Sequence, residues 1–189
     1  GLSFLKESEQ MLIHIENLSM SLVEQYKIYK DENWHWFEDS VTYGNSFFPW
    51  SLFCAYKLLG KNCYLETAKE SMDFLESIVM KPHFFKPIGC NGWLVKGMTA
   101  SAYDEQPIEA CEMIYAYMEY YEVTKDKKCL HNALKCFNWY KGENSKKLLL
   151  IDKDTGACYD RINENGLNLN QGSESIISYG MAVMKISEF

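Results

Sequence analysis

One kind of boundary occurs three times along the chain: a long loop rich in polar and aromatic residues runs into an unusually apolar helix. The three junctions begin at Tyr43, Tyr103 and Leu169, roughly 60 to 65 residues apart, and such regular recurrence is typical of repeat architectures. In a repeat architecture, equivalent elements lie side by side. The acids and amides at these helix starts are therefore expected to meet on one rim of an arc or ring of helices.

Hydrophobic periodicity predicts six helices of two alternating kinds. Three carry their apolar residues on a single stripe, as expected of outer helices with one wet face: about 4–30, 64–80 and 127–140. The other three are apolar nearly all round, which indicates burial on most sides: about 46–59, 107–123 and from about 173 onward. No stretch shows convincing strand alternation, although 148–151 is compatible with a short extended piece. The sequence therefore predicts an all-α fold of alternating inner and outer helical hairpins, an α/α toroid or a three-hairpin segment of one, as a single domain over residues 1–189.

Loop lengths indicate which end of the hairpins carries the function. Connections from inner to outer helices take only a few residues, at 60–62 and 124–126, whereas the opposite connections are long: about 31–45, 81–106 and 141–171. In antiparallel hairpins, all the short turns lie at one end and all the long loops at the other. Long loops without secondary structure are uncommon unless they function. One rim is therefore expected to be plain. The other, formed by the long loops 31–45, 81–106 and 141–171, is expected to carry the site, and we call it the elaborated rim.

Charge and residue usage exclude several classes of function. The formal net charge of -7, with Arg161 as the only arginine, argues against nucleic acid, because a phosphate-binding surface needs clustered cations. Seven cysteines without a CxxC pair favour a reduced, cytoplasmic compartment. No apolar run is long enough to span a bilayer. No Cys/His cluster, phosphate loop or GxSxG motif occurs, so neither a metal nor a cofactor is expected.

The long loops combine aromatic rings with carboxyl and amide groups, a combination suited to sugars. Rings cover the apolar face of a pyranose, and paired carboxyl groups are the standard apparatus of glycoside cleavage. The candidate catalytic carboxyl groups are Asp104 first, then Glu38, Asp39 and Glu174. The candidate sugar-binding residues lie at the same junctions: Trp34, Trp36, Tyr43, Asn45, Trp93, Glu105, Gln106, Glu109, Tyr159, Asp160, Asn170 and Gln171.

Several of these residues have an equally good structural interpretation. Acids before and within the first turn of a helix stabilise its positive end, which would account for Asp104, Glu105 and Glu109 without any ligand. Trp34 and Trp36 would equally serve to plug the first loop into the core. The sequence alone leaves both interpretations open.

The same junctions resemble those of a bacterial family in the six-hairpin glycosidase superfamily, the α/α-toroid class, whose members are glycosyltransferase-like or joined to a glycosyltransferase domain. The matching motifs run in order along the chain: WHWFED at 34–39, YGN at 43–45, GW at 92–93, YDEQPIEA at 103–110, TGACYD at 155–160 and NLNQGSES at 168–175. The resemblance implies a carbohydrate site lined by the starts of the inner helices, with no settled reaction. The chain departs from the family at Arg161-Ile162, where Gly-Leu is usual, and at Glu105, where Gln is usual.

The leading hypothesis is a carbohydrate-active, glycoside hydrolase-like domain whose ligand lies on the elaborated rim. The alternative is a non-catalytic sugar-binding or scaffolding domain attached to a glycosyltransferase. A sugar isomerase is less favoured because no inner helix carries a histidine, and a peptide-binding helical repeat is less favoured because the two rims differ. Since the class has six hairpins and three are visible here, three arrangements are open: an open half-ring, a ring completed by a missing N-terminal half of a larger protein, or a ring completed by a second copy in a homodimer.

Overall fold

The computed structural model describes residues 9–188, and within them the chain forms six helices. Their bounds are α1 Glu9–Tyr29, α2 Phe47–Leu59, α3 Asn62–Val79, α4 Pro107–Thr124, α5 Lys127–Tyr140 and α6 Ser173–Ile186. The predicted helices are confirmed to within a few residues at the boundaries described. The predicted start of the first helix, at about residue 4, lies outside the described residues.

The short turns form where the sequence predicts them. Gly60 ends α2 in the left-handed conformation, with φ of 70°, and its N–H bonds to the carbonyl of Tyr56 at 2.8 Å. Glycine adopts this conformation at little cost, which makes it the usual residue just past a helix end. Lys125 does the same after α4, with φ of 59°, although a side chain is less comfortable there. Both turns return the chain at once into an outer helix.

The helices are arranged in an inner and an outer layer. The inner helices α2, α4 and α6 lie side by side, with α4 in contact with both of the others, while α3 packs on α2 and α5 packs on α4. In α4, buried residues face every direction, including Ala110, Ile114 and Tyr117. The predicted alternation of inner and outer helices is confirmed.

One expectation about burial is wrong. Helix α6 was expected to be buried on most sides, yet Ile177 and Met184 are each 60% exposed, and Ile176 is exposed as well. Among the described elements, α6 packs mainly against α4 and α5, and the apolar face with Ile176, Ile177 and Met184 is left exposed. The apolar character of α6 is therefore that of an inner helix at one edge of the array.

Two small antiparallel sheets hold the long loops together. Strand β1 (Ser40–Val41) pairs with β2 (Leu94–Val95) and joins the first loop to the second. Strand β3 (Arg161–Asn163) pairs with β4 (Gly166–Asn168) as a hairpin in the third loop. Neither sheet is predicted from the sequence, because strands of two or three residues are too short for alternation to show. The predicted extended piece at 148–151 contributes a single bridge, from Ile151 to Cys158.

The elaborated rim has a core of its own, continuous with that of the helices. Buried apolar side chains from all three long loops pack there: Trp34, Trp36, Phe37, Val41, Phe85, Ile88, Leu94, Leu150, Cys158 and Ile162. Burial of apolar surface of this kind is the main stabilising term in folding. The long loops are thus packed structures that can hold side chains in fixed positions. Within residues 9–188, no helix is both long enough and apolar enough to cross a membrane.

Candidate functional site

Two buried glutamates lie next to each other on the inner helix α4. Glu109 and Glu112 are three residues apart, a spacing that places them on the same helix face, and they are 4% and 3% exposed. Glu109 accepts hydrogen bonds from the N–H of Gly44 and from Nδ2 of Asn45, both at 3.2 Å. A Cβ atom on Gly44 would lie 3.9 Å from both carboxyl oxygens of Glu112. The pair therefore faces the start of α2.

The two carboxyl groups differ in their partners and hence in their protonation. Neither buried oxygen of Glu112 has a hydrogen-bond partner, and burial, followed by repulsion from Glu109 and Glu174, raises the pKa of Glu112 to about 9. Burial also raises the pKa of Glu109, to about 7, although the donors on Gly44 and Asn45 oppose this shift. At neutral pH Glu112 is therefore a neutral acid, and Glu109 is poised between its two forms.

A third glutamate reaches the same place from α6. Glu174, in the first turn of α6, accepts a hydrogen bond of 2.5 Å from the hydroxyl of Tyr43. The Tyr43 ring lies edge-on to the ring of Trp93, with 6.4 Å between centroids, and is 46% exposed. We call Glu109, Glu112 and Glu174 the acid cluster, and Tyr43 with Trp93 the rim aromatic pair. The structure therefore brings the starts of all three inner helices together, as the sequence predicts.

A cavity of about 280 Å³ opens between α2, α4 and α6 beside the acid cluster. We call it the inner cleft; its lining residues are Phe47, Trp50, Ile108, Cys111, Glu112, Tyr115, Glu174, Ile177, Ser178 and Met181. The rings of Phe47 and Trp50 are stacked 5.4 Å apart, and Trp50 lies 5.0 Å from the ring of Tyr115. The cleft thus combines aromatic walls with two carboxyl groups, the chemistry expected of a sugar site.

Asp160 holds the third loop against the start of α6. Its carboxylate accepts hydrogen bonds from the N–H of Gly172 at 2.7 Å, from Oγ of Ser175 at 2.8 Å and from Nδ2 of Asn170. A carboxylate that accepts from the free N–H groups of a helix start stabilises that helix. The predicted sugar-binding residues Asp160 and Asn170 therefore bind each other in this structure, and contact with a sugar stays a prediction for both.

Asp152 organises the neighbouring turn in the same way. It accepts from the backbone N–H groups of Asp154 and Thr155, from the hydroxyl of Tyr159 at 3.0 Å and from Nε2 of Gln171 at 3.1 Å. Hydrogen bonds from these donors lower the pKa of Asp152 to about 2. Tyr159 and Gln171, both predicted to bind sugar, are thus side chains that tie the third loop together.

Glu105 is a structural residue, so its predicted contact with sugar is wrong. Its side chain is fully buried and accepts hydrogen bonds from Nε1 of Trp139 at 2.8 Å and Oγ of Ser145 at 2.6 Å. Its backbone also pairs with that of Ile162, with N···O distances of 2.9 and 3.0 Å. A side chain without exposed surface cannot contact a ligand, and these bonds instead join α5 and the third loop to the start of α4.

The two tryptophans of the first loop belong to the core, and their predicted contact with sugar is also wrong. Trp36 is fully buried with its ring against Phe37 and Phe48, and Trp34 is 5% exposed with its ring against Phe74. The Nε1 of Trp34 donates to the carbonyl of its own loop, at Glu38, over 2.7 Å. The plug interpretation is therefore the correct one.

The carboxyl groups of Asp104, Glu38 and Asp39, which the sequence predicts for catalysis, make no contact with the acid cluster through hydrogen bonds or ion pairs among the described residues. Asp104 has a positive φ of 62°, and its carboxylate faces Nη1 of Arg161 at 3.9 Å. Glu38 and Asp39 contribute backbone carbonyls to the first loop, which accept from Trp34 and Lys96. Gln106 caps α4 from an extended conformation without a side-chain bond to the helix.

Glu112 is the residue that sequence reasoning missed. It lies inside a helix interpreted as apolar nearly all round, where a second acid three positions after Glu109 was available as a signal. An acid in a helix without a wet face must be buried, and buried acids are rare unless paired. For the part of the chain described here, no group of three or more His, Cys, Asp or Glu side chains could hold a metal ion.

Comparison with known proteins gives structural matches and no sequence matches. No family model and no curated protein matches the sequence. A cellobiose 2-epimerase from Bacillus thermoamylovorans matches with a TM-score of 0.68 and 18% identity, over 96% of this chain and 51% of that one. A D-mannose isomerase matches with a TM-score of 0.69 and 15% identity, over 97% of this chain and 50% of that one. This chain has the fold of about half of an α/α toroid.

A third match carries a bound sugar. It is an inactive variant of an α-1,6-mannanase of Salegentibacter, in which two aspartates are replaced by asparagine, in complex with α-1,6-mannotriose. Its TM-score is 0.60 and its identity 18%, over 78% of this chain and 41% of that one. The chain spans between 38% and 51% of the solved structures reported among its matches, which fits an incomplete ring. The predicted resemblance to α/α toroids is thus confirmed for the fold, and the matches carry no information about a glycosyltransferase.

Proposed function

We propose that this chain is a carbohydrate-active, glycoside hydrolase-like domain whose sugar lies across the rim aromatic pair and the inner cleft. The observation that carries the proposal is the pairing of a buried, neutral acid, Glu112, with the exposed carboxyl group of Glu174 on one cleft. Glycoside cleavage needs two carboxyl groups in different environments, one protonated and one not. The fold supports the proposal, because it resembles enzymes that process sugars.

Each member of the site has a role in the proposed reaction. Glu112 donates its proton to the glycosidic oxygen as that bond breaks, and Glu174 acts on the opposite side of the ring as base or nucleophile. Tyr43 orients Glu174 through its hydroxyl, and its exposed ring, with that of Trp93, covers the apolar face of a sugar. Burial, with added repulsion from Glu109, raises the pKa of Glu112 and so keeps it protonated. The anomeric configuration of the first product, followed by NMR, would separate a retaining from an inverting route.

Asp104, Glu38 and Asp39 remain predicted carboxyl groups of this reaction, ranked below the acid cluster. Asp104 faces Arg161, with 3.9 Å between Oδ1 and Nη1, and in the proposed site it binds a sugar hydroxyl. The cytoplasmic location is part of the same proposal, and its support is that all seven cysteines are free thiols.

A second candidate function is a non-catalytic sugar-binding domain attached to a glycosyltransferase. The observation that favours it is coverage, because the chain spans about half the length of the toroid enzymes it matches. Half of a ring can supply one wall of a sugar site without the groups that complete catalysis. This candidate predicts binding of oligosaccharides without their cleavage.

The test is a screen of aryl glycosides and oligosaccharides with the Glu112→Gln variant. The amide keeps the shape of the side chain and cannot donate an acidic proton, so turnover should fall by a factor of about 100 or more while binding persists. Glu119→Gln is the matched control, because Glu119 lies on the same helix and pairs with Lys57 at 2.6 Å, away from the cleft. Turnover by the Glu112→Gln variant at the wild-type rate would refute the proposed acid. Binding without any turnover by the wild-type chain would select the second candidate.

A further inference from the structure

The inner cleft is lopsided in its hydrogen-bonding groups. Its lining contains two carboxyl groups, Glu112 and Glu174, and one hydroxyl, Ser178, while the other lining residues are apolar or aromatic. No lysine, arginine or side-chain amide is among these lining residues. A neutral pyranose presents hydroxyls that both donate and accept, and each buried hydroxyl needs partners of both kinds. The cleft instead offers two carboxyl groups and a single hydroxyl, which suits a donor-rich ligand that takes the place of the proton on Glu112.

The acid cluster also lacks a compensating cation. The titratable groups that face Glu112 are Glu109 and Cys111 from α4, Tyr43 from the loop before α2, and Glu174 from α6. None of these groups can carry a positive charge. An ionised carboxylate in such a place is costly unless an opposite charge or several donors reach it.

The lysines of the neighbouring helices are engaged elsewhere. Lys57 of α2 pairs with Glu119 at 2.6 Å. Lys185 of α6 pairs with Glu188 at 2.6 Å and lies 5.7 Å from the centroid of the Tyr115 ring. The chain therefore places its own cations next to other acids and leaves Glu112, at 3% exposure, with both oxygens unpartnered and lining the cleft.

The aromatic walls suit a cation as well as a sugar ring. Trp50 lines the cleft between Phe47, stacked on it at 5.4 Å, and Tyr115, at 5.0 Å. A cation over such a ring face is attracted by the ring quadrupole, most strongly by that of tryptophan. The walls thus add to the attraction that the carboxyl groups already exert on a positive charge.

We propose that the sugar of the inner cleft carries a free amino group, with its ammonium bound at Glu112 between Glu109 and Glu174. The proposal rests on the sugar site proposed above and names a ligand class for it, an amino sugar. Because Glu112 is ionised in that complex, the amino sugar occupies the proposed acid as an inhibitor and is not cleaved by it. The ammonium supplies three donors and one positive charge, which together satisfy the unpartnered oxygens and the missing cation. N-acetylation of the same amine removes the charge and two of those donors, so an N-acetylated sugar should bind less well.

Proton release on binding is the signature of this arrangement. The pKa of Glu112, about 9 in the free chain, keeps this side chain protonated at neutral pH. A bound ammonium favours the ionised carboxylate and so lowers that pKa, which releases up to about one proton for each ligand bound. A neutral sugar that accepts a hydrogen bond from the protonated acid releases none.

The experiment is isothermal titration calorimetry of the 189-residue chain with matched monosaccharides at pH 7, in two buffers of different ionisation enthalpy. The probes are glucosamine, mannosamine and galactosamine, each with its N-acetylated form and its 2-hydroxy counterpart. We expect the amino sugars to bind about tenfold or more tightly than their partners, as a charge-assisted hydrogen bond implies. We also expect an enthalpy that depends on the buffer.

Two variants and one control assign the effect to the acid cluster. Glu112→Gln and Glu174→Gln should each weaken the preference for the amine, and Glu112→Gln should abolish proton release, while Glu119→Gln changes neither. Equal binding of amino and neutral sugars, or a preference that survives Glu112→Gln, would overturn the amino-sugar proposal and leave the sugar site intact. If no sugar of either kind binds and none is cleaved, the proposed function itself fails. Thermal melting of each variant confirms that it is folded.

Discussion

Glu105 and Glu112 are two buried glutamates, one just before α4 and one within it, and the structure treats them in opposite ways. Glu105 is fully buried and bonded to Trp139 and Ser145, whereas Glu112 is 3% exposed and bonded to nothing among the described residues. A buried polar group without a partner costs folding free energy, so nearly all such groups in native proteins are paired. Glu105 therefore stabilises the rim, whereas Glu112 lowers the stability of the chain.

The largest expected effect is a dependence of the free energy of unfolding on pH, to which the two glutamates contribute differently. Both pKa values are raised by burial, that of Glu112 from 4.5 to about 9, so the folded chain binds more protons than the unfolded chain between these values. Stability should therefore fall as the pH rises through that window, by up to about 1.4 kcal/mol per pH unit for each such proton. Urea denaturation at a series of pH values measures the slope.

The Glu112→Gln and Glu105→Gln variants show which carboxyl group sets this slope. Glu112→Gln should remove most of it between pH 7 and about 9, because Glu109, with a pKa raised to about 7, contributes mainly below that range. Glu105→Gln should remove less, since hydrogen bonds from Ser145 and Trp139 lower the pKa that burial raises. An unchanged slope in the Glu112→Gln variant would show that Glu112 is ionised in the folded chain. The contrast with Glu105 would then be wrong.

The second prediction concerns the contribution of Glu105 to the stability of the rim. Glu105→Ala should destabilise the chain by about 2–4 kcal/mol, because it leaves the buried Nε1 of Trp139 and Oγ of Ser145 without acceptors and opens a small void. The free energy of unfolding from chemical denaturation measures it. Glu105→Gln, which retains an acceptor oxygen, is the matched variant and should cost clearly less; equal losses would mean that the hydrogen bonds are irrelevant.

The third prediction is that a substitution at Glu112 increases the free energy of unfolding, whereas one at Glu105 decreases it. Glu112→Met replaces an unpartnered buried acid with an apolar side chain of similar length, which should stabilise the chain by about 1–2 kcal/mol at pH 7 while removing turnover. Thermal or urea denaturation gives the stability, and the glycoside screen gives the activity. A destabilised Glu112→Met variant would mean that Glu112 has a structural role after all, like that of Glu105.

The smallest expected effect concerns the rim aromatic pair. Tyr43→Phe removes the 2.5 Å hydrogen bond to Glu174 but keeps the ring, at a largely exposed site, so stability should change by no more than about 0.5 kcal/mol. Sugar affinity should fall by a factor of about 2–10 if the hydroxyl orients Glu174. Calorimetry compares the variant with the wild-type chain. An affinity equal to that of the wild type would remove Tyr43 from the proposed reaction.

The helices and the elaborated rim could be predicted because both depend on local patterns. The 3.6-residue period distinguishes α5, apolar on one face, from α4, apolar on nearly all faces. Pro107 marks the start of α4 and Gly60 the end of α2, and both act on the few residues beside them. Loop lengths then place Tyr43, Glu109 and Glu174 at the same end of their helices, where the structure finds them. Counting residues is sufficient for such conclusions.

The burial of individual loop residues could not be predicted, because packing between distant segments decides it. Trp36 and Tyr43 lie in one aromatic, polar loop, and nothing local shows that Trp36 points into the core while Tyr43 faces outward. Glu105 and Asp104 are neighbours in sequence with opposite surroundings for the same reason. Glu112 was missed because α4 was classified by its apolar residues alone, and the acid that lies among them was not considered.

The backbone bridge between Glu105 and Ile162 has a consequence for the order of assembly. Contacts between segments far apart in sequence form slowly, because a long stretch of chain must first be closed into a loop. The α2–α3 and α4–α5 hairpins are local and can form as the chain leaves the ribosome, before α6 has been synthesised. The acid cluster needs α6 and therefore forms after these hairpins, so a chain synthesised only as far as α5 carries both hairpins without the complete acid cluster.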